Sequence, residues 1–175
     1  VFNTASDAIR DTSVVLSPSV SCTVPIGKRL RLTGEGFLDF NYFRRQKTER
    51  STDFSGEGGA EVDIGPFTLF GGGGGGQFKQ RFSTDLDERL LRQEKWVTAG
   101  FVAKITSKIS TTFSGETRIF AFEPSKISGA SVPQALDREQ LTATAQLRYS
   151  VTDQTTLLAS ADAIEDRFIK QKVGI

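Results

Sequence analysis

The side chains in this sequence best able to do chemistry are carboxylates and guanidinium groups, and they recur at alternate residues instead of gathering in clusters. Glu35 and Asp39 sit in "LTGEGFLDF", and Glu57, Glu61 and Asp63 in "SGEGGAEVDI". Arg31, Glu116, Arg118 and Arg148 are spaced the same way in other segments. Two adjacent carboxylates can run acid–base chemistry, and a serine or cysteine nucleophile needs a base at hand. The chain has no His and a single Cys, Cys22, which removes the commonest base, the usual zinc ligands and any internal disulfide. Histidine-dependent barrel lipases and proteases are therefore excluded within this segment. The acidic runs "EVD" and "DADAIED" lack the ligand spacing of a calcium loop. No catalytic residue, metal site or cofactor is expected. With 22 Lys+Arg against 21 Asp+Glu, bulk charge does not call for nucleic acid as a partner.

What positions these groups is a period of two, the mark of extended strands. In "KRLRLTGEGFLDFNYF", Leu30, Leu32, Gly34, Gly36, Leu38, Phe40 and Tyr42 form one face, and Arg31, Glu35 and Asp39 lie on the other. Seven further runs sort in the same way. Strands are expected near 14–26, 29–43, 54–64, 67–78, 96–106, 109–122, 140–151 and 155–166. The run "PFTLFGGGGGGQFKQRF" belongs among them. A phosphate-cradling loop would follow its glycines with Lys-Ser/Thr and a helix, and Gln77-Phe78-Lys79 stands there instead. A flexible linker does not fit between strands joined by short turns. Glycine in a strand lets a bulky side chain or a second backbone come close.

The connections alternate in length. "PIGKR", "IGPF", "TSK" and "TDQ" are short, whereas 44–53, 79–95 and 123–139 are long and charged. Within 79–95, "DLDERLLRQEK" reads as a short helix. Short turns at one end and long loops at the other define an antiparallel up-and-down meander, as in transmembrane β-barrels of outer membranes. The fold class expected is all-β, with about eight strands visible of a larger barrel. No run reaches the roughly 18 apolar residues of a membrane-spanning helix, but a barrel strand needs only about 9–11 residues to cross. A soluble sandwich or barrel would turn the same apolar residues inward. The apolar faces here are rich in Ala and Gly, which suits a packed core poorly.

In that frame the polar faces line a wet lumen, to which Arg31, Glu35, Asp39, Glu57, Glu61, Asp63, Lys104, Glu116, Arg118, Gln146, Arg148 and Asp162 are assigned. Two readings of their charges stay open. One is an acidic patch opposed by Arg31, Arg118 and Arg148, which would filter solutes. The other, which the pattern favours, is a set of cross-strand ion pairs holding the wall together. Phe40, Tyr42, Phe43, Phe120 and Phe122 are expected in an aromatic girdle at the loop end, with Phe37 and Trp96 narrowing the lumen. Strand counting puts both ends of the segment on the long-loop side, and Val1 is not a start Met. Further strands before Val1 and after Ile175 are expected.

"VFNTASDAIRDTSVVLSPSVS" followed by "PIGKRLRLTGEGFLDFNYF" resembles the opening part of the β-barrel porins of Gram-negative outer membranes, and the likeness extends over most of the chain. The resemblance implies an outer-membrane location, lipid as surroundings, and passive passage of small hydrophilic solutes, with no catalytic residues carried over. A homo-oligomer or an extracellular partner fits the same frame. Two alternatives stay open: a structural or export barrel holding a polysaccharide or extracellular protein, and a soluble ligand-binding β-domain.

Overall fold

The computed structural model describes residues 11–45, 47–81, 89–123 and 136–169. They form one antiparallel sheet of nine strands. In chain order these are β1 (Ser13–Leu16), β2 (Ser19–Ile26), β3 (Leu30–Phe43), β4 (Ser51–Ile64), β5 (Phe67–Arg81), β6 (Arg89–Lys104), β7 (Ile109–Phe122), β8 (Arg138–Ser150) and β9 (Thr156–Phe168). A 3-10 turn, Lys47–Glu49, precedes β4. Each strand from β3 onward pairs with the next. β1 and β2 both pair with β3 in one register, Leu16 facing Phe40 and Ser19 facing Phe37. Pro18 interrupts them because it has no N–H to donate, yet its carbonyl still accepts from Leu38 N at 3.0 Å. An edge strand tolerates this. The sheet is open, with β2 and β9 at its edges.

The four connections at one end are tight. Gly27 and Gly65 take positive φ, 66° and 60°, in the turns after β2 and β4, a conformation that side chains resist. After β6 and β8, Thr106 and Thr152 hydroxyls accept backbone N–H groups two and three residues on, at 3.0–3.2 Å. The opposite end carries the longer connections 44–50, 82–88 and 123–137.

The registers carry the alternation across the sheet without a slip. Residues opposite each other in an antiparallel pair share a face, so Val20, Gly36, Gly56, Gly75, Lys95, Ile119, Glu139 and Arg167 lie on one face along a single line. The apolar sides of the successive strands thus merge into one surface, and it is exposed: Val20 is 70%, Val97 65% and Leu157 58% accessible. The described residues that are fully buried (Ser51, Leu90, Glu94 and Phe120) all lie on the other, polar face. The sheet bends toward that polar face. Phe37 of β3 reaches Phe78 of β5 there, with ring centres 6.1 Å apart. This is the reverse of a water-soluble sheet, whose apolar face is the covered one.

The apolar surface is a band with a definite height. On β7 it runs from Ile109 to Ile119, about 33 Å of strand. Toward the long-loop end it gives way to Gln77, Gln93, Lys95, Glu139, Glu165 and Arg167 on the same face.

The glycine run lies inside β5 as a regularly paired strand. Both of its sides are tight: on the inside of the bend a Cβ at Gly74 would stand 2.5 Å from Gly56 O and 2.7 Å from the Trp96 ring, and on the outer face one at Gly73 would stand 2.8 Å from Trp96 O. In neighbouring β4, a Cβ on the outer face at Gly58 meets nothing nearer than 3.7 Å.

Three boundary expectations change. β5 extends to Arg81 and β6 begins at Arg89, so most of 79–95 is strand rather than loop. The helix expected in "DLDERLLRQEK" is replaced from Arg89 onward by β6, and its first part lies outside the described residues. Its Leu, Arg, Gln and Glu favour a helix locally, but pairing with β5 and β7 on both sides overrides that preference. Ser51–Asp53, expected in the loop 44–53, pair with Asp39–Asn41.

A prediction follows from the contrast between Gly74 in β5 and Gly58 in β4. Gly74→Ala should lower stability by about 1–3 kcal/mol through overpacking, and Gly58→Ala should change it by less than about 0.5 kcal/mol. Urea midpoints of the lipid-reconstituted variants measure both.

Candidate functional site

All twelve residues assigned to the polar face by sequence do share it, and each strand contributes its part by alternation. They do not form a single set of ion pairs. β3 and β4 make an acidic wall from Glu35, Asp39, Asp53, Glu57, Glu61 and Asp63. Arg31 belongs to this wall and pairs with Glu61 at 3.1 Å. Glu35 stands directly opposite Glu57, and Asp39 opposite Asp53. Like charges facing each other across strands oppose sheet pairing. The ion-pair reading therefore holds at Arg31–Glu61 and fails at these two positions.

Hydroxyl and amide donors offset part of that repulsion. Asp39 accepts from Ser17 Oγ at 2.6 Å and from Asn41 Nδ2 at 3.1 Å. Asp53 accepts from Lys79 N at 2.7 Å, and Asp63 from Thr68 Oγ1 at 2.6 Å. Between this wall and β6 lies a hollow of about 310 Å³ lined by Glu35, Glu57, Glu61, Phe70 and Trp96, with glycines of β5 as its floor.

Across β5 the character reverses. β6, β7 and β8 bring Arg92, Arg118, Arg138, Arg148 and Lys104 to the same face. Glu94, 4% exposed, is clamped between Arg92 and Arg118, the latter at 3.3 Å. Arg118 also bonds Glu116 at 2.9 Å and lies over the Trp96 ring at 5.1 Å. Arg92 and Arg138 both lie against Phe120, with guanidinium carbons 5.6 and 4.7 Å from its ring centre. Each packs a charge against a ring face, which is attractive where water is thin. Arg118 and Arg148 thus do not neutralise the β3–β4 carboxylates. Arg118 is committed to Glu94 and Glu116, and Arg148 stands across β7–β8 from Ser110. On β9, Asp162 accepts from Thr144 Oγ1 at 2.7 Å.

The aromatic girdle is smaller than expected. Phe40 and Tyr42 lie on the apolar face, whereas Phe43, Phe120 and Phe122 share the polar one by register. Phe120 is buried beneath arginines. The lumen set read from sequence left out Asp53, Arg92, Glu94, Arg138 and Asp166. For Arg92 and Glu94 the signal was the alternation Leu90, Arg92, Glu94, Trp96, which continues the strand upstream of position 96.

No protein-family model matches this chain, and no curated protein sequence matches it. The architecture, an antiparallel sheet with an apolar outer face and a polar face inside the bend, does have a counterpart among solved structures. The chain is similar to the outer membrane channel DcaP of Acinetobacter baumannii, with a TM-score of 0.59 over 89% of this chain and 9% sequence identity. It spans 47% of that channel's length. The fold is therefore an all-β antiparallel sheet similar to that channel's porin-like barrel, with the sheet open between its β1–β2 edge and β9.

The clamp makes a prediction. Glu94→Ala leaves two guanidinium groups side by side without their shared counter-charge and should cost about 2 kcal/mol, less than a fully buried pair because both arginines are partly exposed. Arg167→Ala, which breaks an exposed pair with Glu165, should leave the unfolding midpoint where it was. Denaturant titrations of the two variants read the difference.

Proposed function

We propose that this segment is wall of an outer-membrane β-barrel that passes small hydrophilic solutes in a Gram-negative cell. The observation that supports it is the inverted burial: leucines, valines and phenylalanines stand uncovered on the outside of the bend, and the charged groups stand within it. A soluble ligand-binding domain would need those side chains in a core, and the described residues contain no such core. Lipid supplies the missing partner for the outer face, and water for the inner one. The twelve polar residues assigned to the lumen are then its lining. An open sheet cannot enclose water, so the reading requires strand partners for β2 and β9.

Phe101, in the middle of the outer band of β6, tests the orientation against Glu35. Phe101→Arg should prevent membrane assembly, since a lipid-facing charge near mid-bilayer costs about 2–4 kcal/mol. Glu35→Arg should assemble normally, relieve the repulsion with Glu57 by about 0.2–1 kcal/mol, and move the reversal potential in a salt gradient toward anions. Gel-shift folding assays and planar-bilayer recordings give the two readouts. A folded, conducting Phe101→Arg protein beside an unfolded Glu35→Arg protein would reverse the assignment of faces.

A further inference from the structure

The arginine side of the polar face leaves two donors without acceptors. The Nε atoms of Arg92 and Arg138 are buried and hydrogen-bond to nothing. Both guanidinium groups lie on Phe120, which stands directly across the strand pairs from Glu94 on one side and Arg138 on the other. The nearby carboxylates are already engaged. Glu94 serves Arg92 and Arg118, and Glu116 serves Arg118. Asp166 accepts from Gln140 at 3.1 Å and stays 3.6 Å from Arg138 Nε. A buried charged donor with no acceptor costs free energy, and structures keep one where a ligand or water completes the bond. A guanidinium packed on a ring is held in place; Arg92 gives its Nη2 to Glu94, and Arg138, 31% exposed, keeps its planar fork to meet two oxygens at once.

We propose that Arg92 and Arg138, seated on Phe120, form a binding site for the oxyanion group of a small solute, a carboxylate or a phosphate, at the long-loop end of the polar face. The proposal rests on that face being the wet interior of a barrel. Glu94 keeps Arg92 and Arg118 from repelling each other when the site is empty, so the site is formed before the solute arrives.

Trp96 reports on this site without any need for conduction, because Arg118 covers its ring and shares Glu94 with Arg92. The full chain in lipid vesicles is titrated at constant ionic strength with inorganic phosphate, with acetate and with chloride, and Trp96 emission is read against a W96F background. Phosphate or acetate should produce a saturable change that chloride does not, and the stronger of the two names the solute class. R138Q should raise half-saturation by about tenfold, the loss of one charge-assisted bond, and R138K, which keeps the charge but not the fork, by less. A response equal in all three salts, or one unaltered in both variants, overturns the site. Conductance of the same preparation separates the two claims. Conduction without an oxyanion-specific response rejects the site and leaves the channel standing, while the response without conduction does the opposite.

Discussion

A backbone that lies against hydrocarbon has no water to bond, so each N–H and C=O must find its partner on a neighbouring strand. On the proposed function that requirement governs this sheet. Its strand pairs run without a register slip from β1 to β9, and a slip of one residue would carry charges to the outside and leucines to the inside. Because the ladder is unbroken, a modest preference in each strand becomes a continuous band. Pro18, between β1 and β2, and Pro25, within β2, both fall at the edge of the sheet, where a missing donor costs least.

The bend has its own chemical requirement. Curling a sheet toward one face crowds the side chains of that face, and β5 answers with glycine. Gly72, Gly74 and Gly76 lie where a Cβ would strike a neighbouring strand's backbone or Trp96. The same absence of side chains opens the hollow between the acidic wall and β6. One sequence feature thus serves both the shape of the wall and the space before it. The polar surface is then divided by strand: carboxylates on β3 and β4, guanidinium groups on β6 to β8, and an uncharged strip between them.

Much of this was legible from residues alone wherever the strand has one apolar and one polar face. Leu30 to Tyr42, Phe54 to Ile64 and Leu141 to Tyr149 read as strands because one of their sides is apolar and the other is not. Beyond the band both sides meet water, and alternation disappears from the sequence although the strand continues. Arg89–Lys95 is such a stretch, and its composition imitates a helix. Glu94 and Arg92 were missed for that reason, and Phe120 was misplaced because an aromatic near a loop end resembles a membrane anchor. The partners of Glu35 and Asp39 were not legible either. Which carboxylate faces which depends on register, and register is a property of the pairing and not of either strand.

Adjacent residues 22 and 23 on β2 test the central claim most directly. A spin label on the native Cys22 should be relaxed by oxygen, which concentrates in lipid, and shielded from a water-soluble nickel chelate. A label at residue 23, in a T23C variant with Cys22 replaced by Ser, should show the reverse. Two labels that respond alike, or Cys22 more open to the nickel chelate than to oxygen, would contradict an outward-facing apolar wall.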